Sequence, residues 1–215
     1  MGVELNLLAR YPRVKRDIAT RGMEKTSEDI EVARRFGKDF FDGDRRYGYG
    51  GYTYSATRWV GVVEDLIGHY APIESVLDVG CAKGYMVEEF ANQIPNITIA
   101  GIDISEYAIK HAVMKPFVSV GNARDLSRFR DKSFDLVVSI NTVHNLGRHG
   151  CIHALEEIER VGKQAYITVD AYRTEEERQR MFDWNLTALT ILHADEWLEL
   201  FKEAGYTGDY GYWLP

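Results

Sequence analysis

The chain has 215 residues, 45% of them hydrophobic, and carries 26 basic against 33 acidic side chains for a net charge of −7. That is enough apolar material for one domain, or one domain with a lid, and it argues against a disordered chain. The acidic balance argues against a broad nucleic-acid surface, no apolar run nears the ~20 residues of a membrane span, and the two cysteines cannot form a zinc site alone. No Cys/His cluster has ligand spacing, so no metal is expected. Two lone cysteines and the absence of a cleavage site after the amphipathic start predict a reducing, cytoplasmic setting without a signal peptide.

Taken in order, residues 2–22 mix basic and apolar side chains and predict helix with a break at Pro12. Thr26, followed by Ser27, Glu28 and Asp29, reads as a helix start with a side-chain cap and early acids, running to about Phe41. The stretch Phe41–Tyr54 is too rich in glycine for a helix and too aromatic for a flexible linker. Asp42 and Asp44 precede Arg45 and Arg46, and Tyr47, Tyr49, Tyr52 and Tyr54 alternate with glycines. This pattern suits a loop folded over a ligand, with rings and hydroxyls from the tyrosines and with arginines meeting an anion. The competing interpretation is a two-stranded surface turn with a solvated charge cluster. Residues 1–56 are accordingly taken as N-terminal helices plus lid, and residues 57–215 as the core.

Thr57–Tyr70 predicts a helix with Trp59, Val62, Val63, Leu66 and Ile67 on one face. The next stretch, Ser75–Asp78, is a short apolar strand that runs into Gly80, Cys81, Ala82, Lys83 and Gly84, and then into a helix over Tyr85–Gln93. Small residues at Gly80, Ala82 and Gly84 let a ligand lie against bare backbone, and the helix start offers unpaired N–H groups. The dinucleotide fingerprint G-x-G-x-x-G is not met, which argues against a nicotinamide enzyme. A second strand, Thr98–Asp103, ends in an acid about 20 residues after the loop, the separation one helix and one strand require. A carboxylate there can accept both hydroxyls of a ribose.

The pattern continues with a helix from Ser105 to Val113, a third strand Phe117–Val120 and a fourth strand Phe134–Ile140. A helix over His149–Arg160, a fifth strand Lys163–Val169 and a charged helix Thr174–Asp183 follow. Met181, Phe182 and Trp184 end that helix with bulk, as core or as acceptor pocket. Asp195 is placed to cap a helix through Ala204 that Gly205 stops, and Tyr206–Trp213 can form a sixth strand. Strands alternating with helices predict a parallel sheet with helices on both faces and ligands at the carboxyl ends of the strands.

The segments Asp78–Gly84, Gly101–Ser105, Gly121–Leu126 and Ser133–Ser139 resemble successive motifs of the class I S-adenosylmethionine-dependent methyltransferases, over roughly Ser75–Gly205. The resemblance implies an α/β, Rossmann-like three-layer sandwich with a mostly parallel sheet. It implies S-adenosyl-L-methionine as cofactor, leaving as S-adenosyl-L-homocysteine. Cofactor contacts would come from Asp78, Gly80, Cys81, Ala82, Gly84 and Tyr85, with Asp103 on the ribose, Ile104 on the adenine and Asn122 and Ala123 at its edge. Ala82 stands where the family usually has glycine, and Asn122 where it often has aspartate. Arg58 either pairs the methionine carboxylate or is a plain surface arginine. Asn141 and His144 fall where the family faces sulfonium and acceptor. His144 is then either a general base or a structural histidine bonded to a nearby carbonyl. Family members usually carry seven strands with the last antiparallel; here the extra strand would come from about Thr187–Leu192, or the sheet is shorter.

The expected activity is methyl transfer to a small polar acceptor, O- or N-linked, held by Asp44, Arg45, Arg46, Tyr47, Tyr49, Tyr52 and Trp184. The two arginines suit a phosphorylated or nucleotide-linked sugar, in line with a looser similarity to bacterial carbohydrate-pathway methyltransferases. A catalytically silent cofactor-binding sensor is the alternative. Beyond the small-molecule acceptor no nucleic acid or membrane partner is expected, and the oligomeric state is open, with a homodimer among the options.

Overall fold

The structure is a computed structural model that describes residues 2–12 and 17–214. Seven strands build the sheet: β1 (Ser75–Val79), β2 (Thr98–Asp103), β3 (Val118–Val120), β4 (Phe134–Ile140), β5 (Gly162–Tyr172), β6 (Leu192–His193) and β7 (Asp209–Trp213). The order is β3-β2-β1-β4-β5-β6, and β7 joins β5 along Tyr166–Asp170. Every pairing between these strands is parallel. β7 therefore departs from the antiparallel last strand that the family resemblance implies. The additional strand is β6, only two residues long and starting at the last residue of the expected stretch.

Side chains of a strand alternate between faces, and here both faces are covered. Val76, Leu136 and Val138 pack with Val62, Leu66, Val87 and Phe90 of α4 (Ala56–Tyr70) and α5 (Tyr85–Gln93). Leu77, Val79 and Val137 pack on the other side with Leu155 and Ile158 of α7 (Arg148–Val161) and with Trp197 and Phe201 of α9 (Ala194–Glu203). This is the three-layer, Rossmann-like arrangement that the alternation of elements predicts.

The N-terminal region differs from expectation in two places. Residues 2–6 are extended, not helical: Leu5 N–H donates to Tyr210 O (2.8 Å) and Tyr210 N–H to Val3 O (3.1 Å). An edge strand carries unpaired backbone groups, and this segment satisfies those of β7. The rest of the predicted first helix is confined to α1 (Ile18–Glu24); residues 13–16, on which part of it falls, lie outside the described residues. The second expected helix is split into α2 (Ser27–Arg34) and α3 (Lys38–Asp42), because Phe36 turns to φ +48 ahead of Gly37. Thr26 caps α2 with a reciprocal bond from Asp29, as its spacing predicts. The cap of α9 is His193 rather than Asp195: its Nδ1 accepts from Asp195 N–H (3.2 Å) while Glu196 reaches back to His193 N–H (2.8 Å). α1 packs on α8 (Glu175–Trp184), and α3 packs on α2 and on α6 (Glu106–Lys110), the helix that follows β2. Among the described residues no helix is long and apolar enough to cross a membrane.

Candidate active site

The turn after β1 is shaped by its backbone. Gly80 sits at φ +89, and a Cβ there would lie 1.9 Å from Thr142 Oγ1. Both Gly80 N–H and Cys81 N–H donate to Ile102 O (2.7 and 2.9 Å), so the turn folds onto the end of β2. Gly84, at φ +75, precedes α5 without any side-chain cap. The first N–H groups of that helix are thereby left for another acceptor. Ala82 takes φ +49, a left-handed position that glycine would fill more easily.

Asp103 faces this turn. Its Oδ2 accepts from Ala82 N–H and its Oδ1 from Ser105 N–H, each at 2.8 Å. Burial pushes its carboxyl above the ordinary range, and the two amides only partly offset this. Asp78, 2% exposed, is pushed up further by burial and by the charge of Asp103. Ile104 leaves 56% of its surface exposed next to the acid, an open apolar face beside a ribose-type acceptor. Asn122 uses its Oδ1 on Arg124 N–H (3.0 Å), which turns that oxygen onto its own loop. Ala123 packs at the margin of the core.

The aromatic segment folds back along α3. Tyr49 N–H donates to Phe40 O (2.8 Å) and Gly51 N–H to Phe41 O (3.1 Å). Tyr49, Tyr52 and Tyr85 form a contiguous stack, with ring centroids 4.5 Å and 5.3 Å apart. Arg58 lies over Tyr52 at 5.2 Å, and its Nη1 is a buried donor with no partner among the described residues. Tyr49 exposes 44% of its surface. Burial, then Tyr11, Asp103 and Asp170, pushes its hydroxyl upward while Arg58 pulls it down.

At the ends of β4 and β5 a polar network takes over. Asn141, at φ +52, donates its N–H to Thr168 Oγ1 (3.0 Å), and Thr168 Oγ1 donates to Asn141 Oδ1 (2.9 Å). Asn145 Nδ2 donates to Asn141 O (3.3 Å), while Asn145 Oδ1 is buried with no partner among the described residues. His144 is 3% exposed; its Nδ1 accepts from Asp170 N–H (2.9 Å) and its Nε2 lies 3.6 Å from Asp170 Oδ2. The lone pair of Nδ1 is thereby used, and the proton is assigned to Nε2. Burial lowers the basicity of this ring against the opposing pull of Asp170, so the imidazole is neutral near neutral pH. Asp170 also accepts from Asn185 Nδ2.

The sequence grouping of acceptor residues is divided by the structure. Tyr52 meets the glycine turn through Lys83 and Tyr85, and Tyr49 packs on Tyr52. Arg46 instead pairs with buried Asp29 (2.7 Å) and lies over Tyr47. Arg45 donates to Gly48 O and lies 5.3 Å over Trp184, and Asp44 accepts from Arg46 N–H (2.8 Å). Asp44, Arg45 and Arg46 line an outer cleft of about 530 Å³ with Asp17, Thr20, Arg21 and Lys25. A smaller cleft, about 160 Å³, lies at the opposite end of the sheet around Gly162 and Gly208, where β5 and β7 begin.

Three residues of the site escape sequence reasoning. Lys83 is a spacer in the glycine turn, yet it is 5% exposed and donates to both oxygens of Asp42 (2.7 Å each) and to Tyr52 O (2.8 Å). Asp170 and Asn185 become neighbours of Asn141 and His144 only through the fold. The one available signal was position: Asp170 lies near the end of β5.

Residues 77–169 match the family model described as a methyltransferase domain. No curated protein matches. Among solved structures, a protein from Haloferax volcanii determined in complex with the Trm112 methyltransferase activator is similar at 21% identity, with a TM-score of 0.54 over 90% of this chain and 77% of that one. An S-adenosylmethionine-dependent methyltransferase from Archaeoglobus fulgidus is similar at 21% identity and a TM-score of 0.54, over 68% of this chain and 66% of that one. The MccD protein follows at 21% identity and a TM-score of 0.51, over 66% and 68%. At these identities the likeness is one of fold.

Proposed function

With a methyltransferase domain over residues 77–169 as its premise, we propose that this protein moves a methyl group from S-adenosylmethionine to a small acceptor that enters between Tyr49 and the ends of β4 and β5. The cofactor of this domain is S-adenosylmethionine, which supplies an electrophilic methyl group on a sulfonium. The residues present fit it. Gly80 is closed against Thr142, with no room for a Cβ, Asp103 is a half-buried carboxylate with both oxygens oriented by backbone amides, and Arg58 Nη1 is an orphaned buried cationic donor among the described residues.

In this reading Asp103 accepts the ribose hydroxyls, Ile104 covers the adenine with Ala123 and Asn122 at its edge, and Arg58 meets the methionine carboxylate. Asp78, Cys81, Ala82, Gly84 and Tyr85 form the wall of that pocket. Tyr49 and Tyr52 roof the pocket and exclude water, and alignment supplies much of the rate. Asn141, Asn145 and Asp170 present acceptor oxygens, which favours an acceptor arriving as an O–H or N–H donor. His144 orients Asp170 rather than abstracting a proton, since its Nδ1 already accepts from the backbone. Arg45 and Arg46 face the outer cleft, so they lend no support to a phosphorylated sugar.

The observation that carries the proposal is Asp103, held by the Ala82 amide of the turn it faces and by the Ser105 amide behind it. Titration calorimetry with S-adenosylmethionine and S-adenosylhomocysteine tests it. Intact protein is expected to bind both, and Asp103→Ala to weaken both by roughly ten- to a hundredfold, the worth of a charge-assisted hydrogen-bond pair. Binding that survives the substitution unchanged sinks the assignment.

A further inference from the structure

Lys83 is a cation placed inside the turn that faces the cofactor, and its ammonium points away from that turn. It is 5% exposed, and its three protons are all used: two on the carboxylate of Asp42 (2.7 Å each) and one on Tyr52 O (2.8 Å). Asp42 ends α3, the helix from which the aromatic segment departs. Its carboxylate accepts two further bonds, from Tyr52 N–H (3.1 Å) and from Tyr107 Oη–H (2.8 Å). Tyr107 belongs to α6 (Glu106–Lys110), which follows directly on Asp103 and Ser105. Tyr85 Oη–H adds a second bond to Tyr52 O (3.1 Å).

The glycine turn, the helix after the ribose acid and the aromatic roof therefore meet at one ion pair. Burial raises the cost of ionising Asp42, but the bonds from Lys83, Tyr107 and Tyr52 N–H outweigh it and hold the carboxyl below its ordinary range. An ion pair of this kind, with Lys83 buried and Asp42 half-buried, contributes little net stability, but removing one partner strands the other charge. Its effect is geometric: it ties the backbone of Tyr52 to the turn.

We propose that Lys83 is a positioning residue that latches the Tyr49–Tyr52 roof to the cofactor turn, so that the roof is already closed in the free protein and is felt directly by whatever loads the turn. The inference rests on the methyltransferase reading for the identity of the ligand, but not for the latch itself. Three roof amides report on it: those of Tyr49, Gly51 and Tyr52, bonded to Phe40 O, Phe41 O and Asp42 Oδ1.

The test is amide hydrogen exchange on the full chain, free and with S-adenosylhomocysteine, for wild type, Lys83→Met, Asp42→Asn and the double variant, with the amide of Val137 in β4 as the fold control. In the free wild-type protein the three roof amides are expected to be protected. Each single variant should speed their exchange by at least about tenfold while Val137 is unmoved. The double variant should be no worse than the worse single one, because it strands no charge. S-adenosylhomocysteine should add protection at the roof in the wild type and not in Lys83→Met. Unchanged roof exchange in both single variants overturns the latch, as do single effects that simply multiply. If the roof responds as expected while no S-adenosyl ligand binds, the latch stands and the functional reading falls. If the ligand binds in an Asp103-dependent way while the roof ignores Lys83, the latch alone falls.

Discussion

Single residues decide the site through their backbones as much as their side chains. At Gly80 the φ of +89 and the 1.9 Å approach of a built Cβ to Thr142 Oγ1 leave room only for hydrogen. Gly80→Ala is expected to cost about 1–2 kcal/mol from the left-handed backbone alone, with the clash in addition. Thermal unfolding and an S-adenosylmethionine titration on that variant would register both losses. A variant as stable and as competent as the parent would mean that the turn is not built this way. His144 shows the converse. Its sequence position suggests a base, yet the lone pair of its Nδ1 is committed to the Asp170 amide.

Between elements, Asp135 joins three strands near their amino ends. Its Oδ2 accepts from Glu74 N–H, Ser75 N–H and Ser75 Oγ–H at 2.9 to 3.0 Å, and its Oδ1 accepts from Lys163 Nζ (2.7 Å). The start of β1 is thus tied to β4 and β5. The bond from Lys163 is the main reason the carboxyl is held at about 2, burial opposing it and the β1 donors adding to it. A folded-state value below the unfolded one of about 3.9 means stability that is present above that value and lost as pH falls toward about 2. Asp135→Ala is expected to cost roughly 1–3 kcal/mol at neutral pH and distinctly less near the acid end. Urea denaturation at the two pH values measures the difference, and an equal cost at both would refute the ionic contribution.

Across the whole molecule, the extended residues 2–6 act as a cover for the sheet edge. Leu5 and Val3 pair with Tyr210, Tyr166 Oη–H donates to Leu5 O (3.0 Å), and Arg173 pairs with Glu4. Deleting residues 2–6 is expected to lower the melting temperature by several degrees, as a loss of about 1–2 kcal/mol would, and to promote self-association through the uncovered edge. Scanning calorimetry and light scattering together check this; a truncated chain that stays equally stable and monodisperse would assign the edge no such role.

What the sequence by itself determined is the local grammar. The apolar runs at Val76–Val79 and Phe134–Ile140, the small residues at Gly80, Ala82 and Gly84, and the acid at Asp103 are set by short-range rules of strand, turn and helix start. Four elements fall where those rules put them, β2, β4 and α5 to the residue and β1 within one. Only the tertiary structure decided which side chains meet. Lys83 reads as a loop spacer until α3 brings Asp42 to it, and only the fold brings Arg46 to Asp29. The parallel course of β7 and the cover by residues 2–6 were likewise invisible. The reason is physical: a hydrogen bond or ion pair between residues far apart in the chain leaves no periodicity in the sequence. A charged side chain is the same letter whether it is solvated or, as with Lys83, buried against one carboxylate.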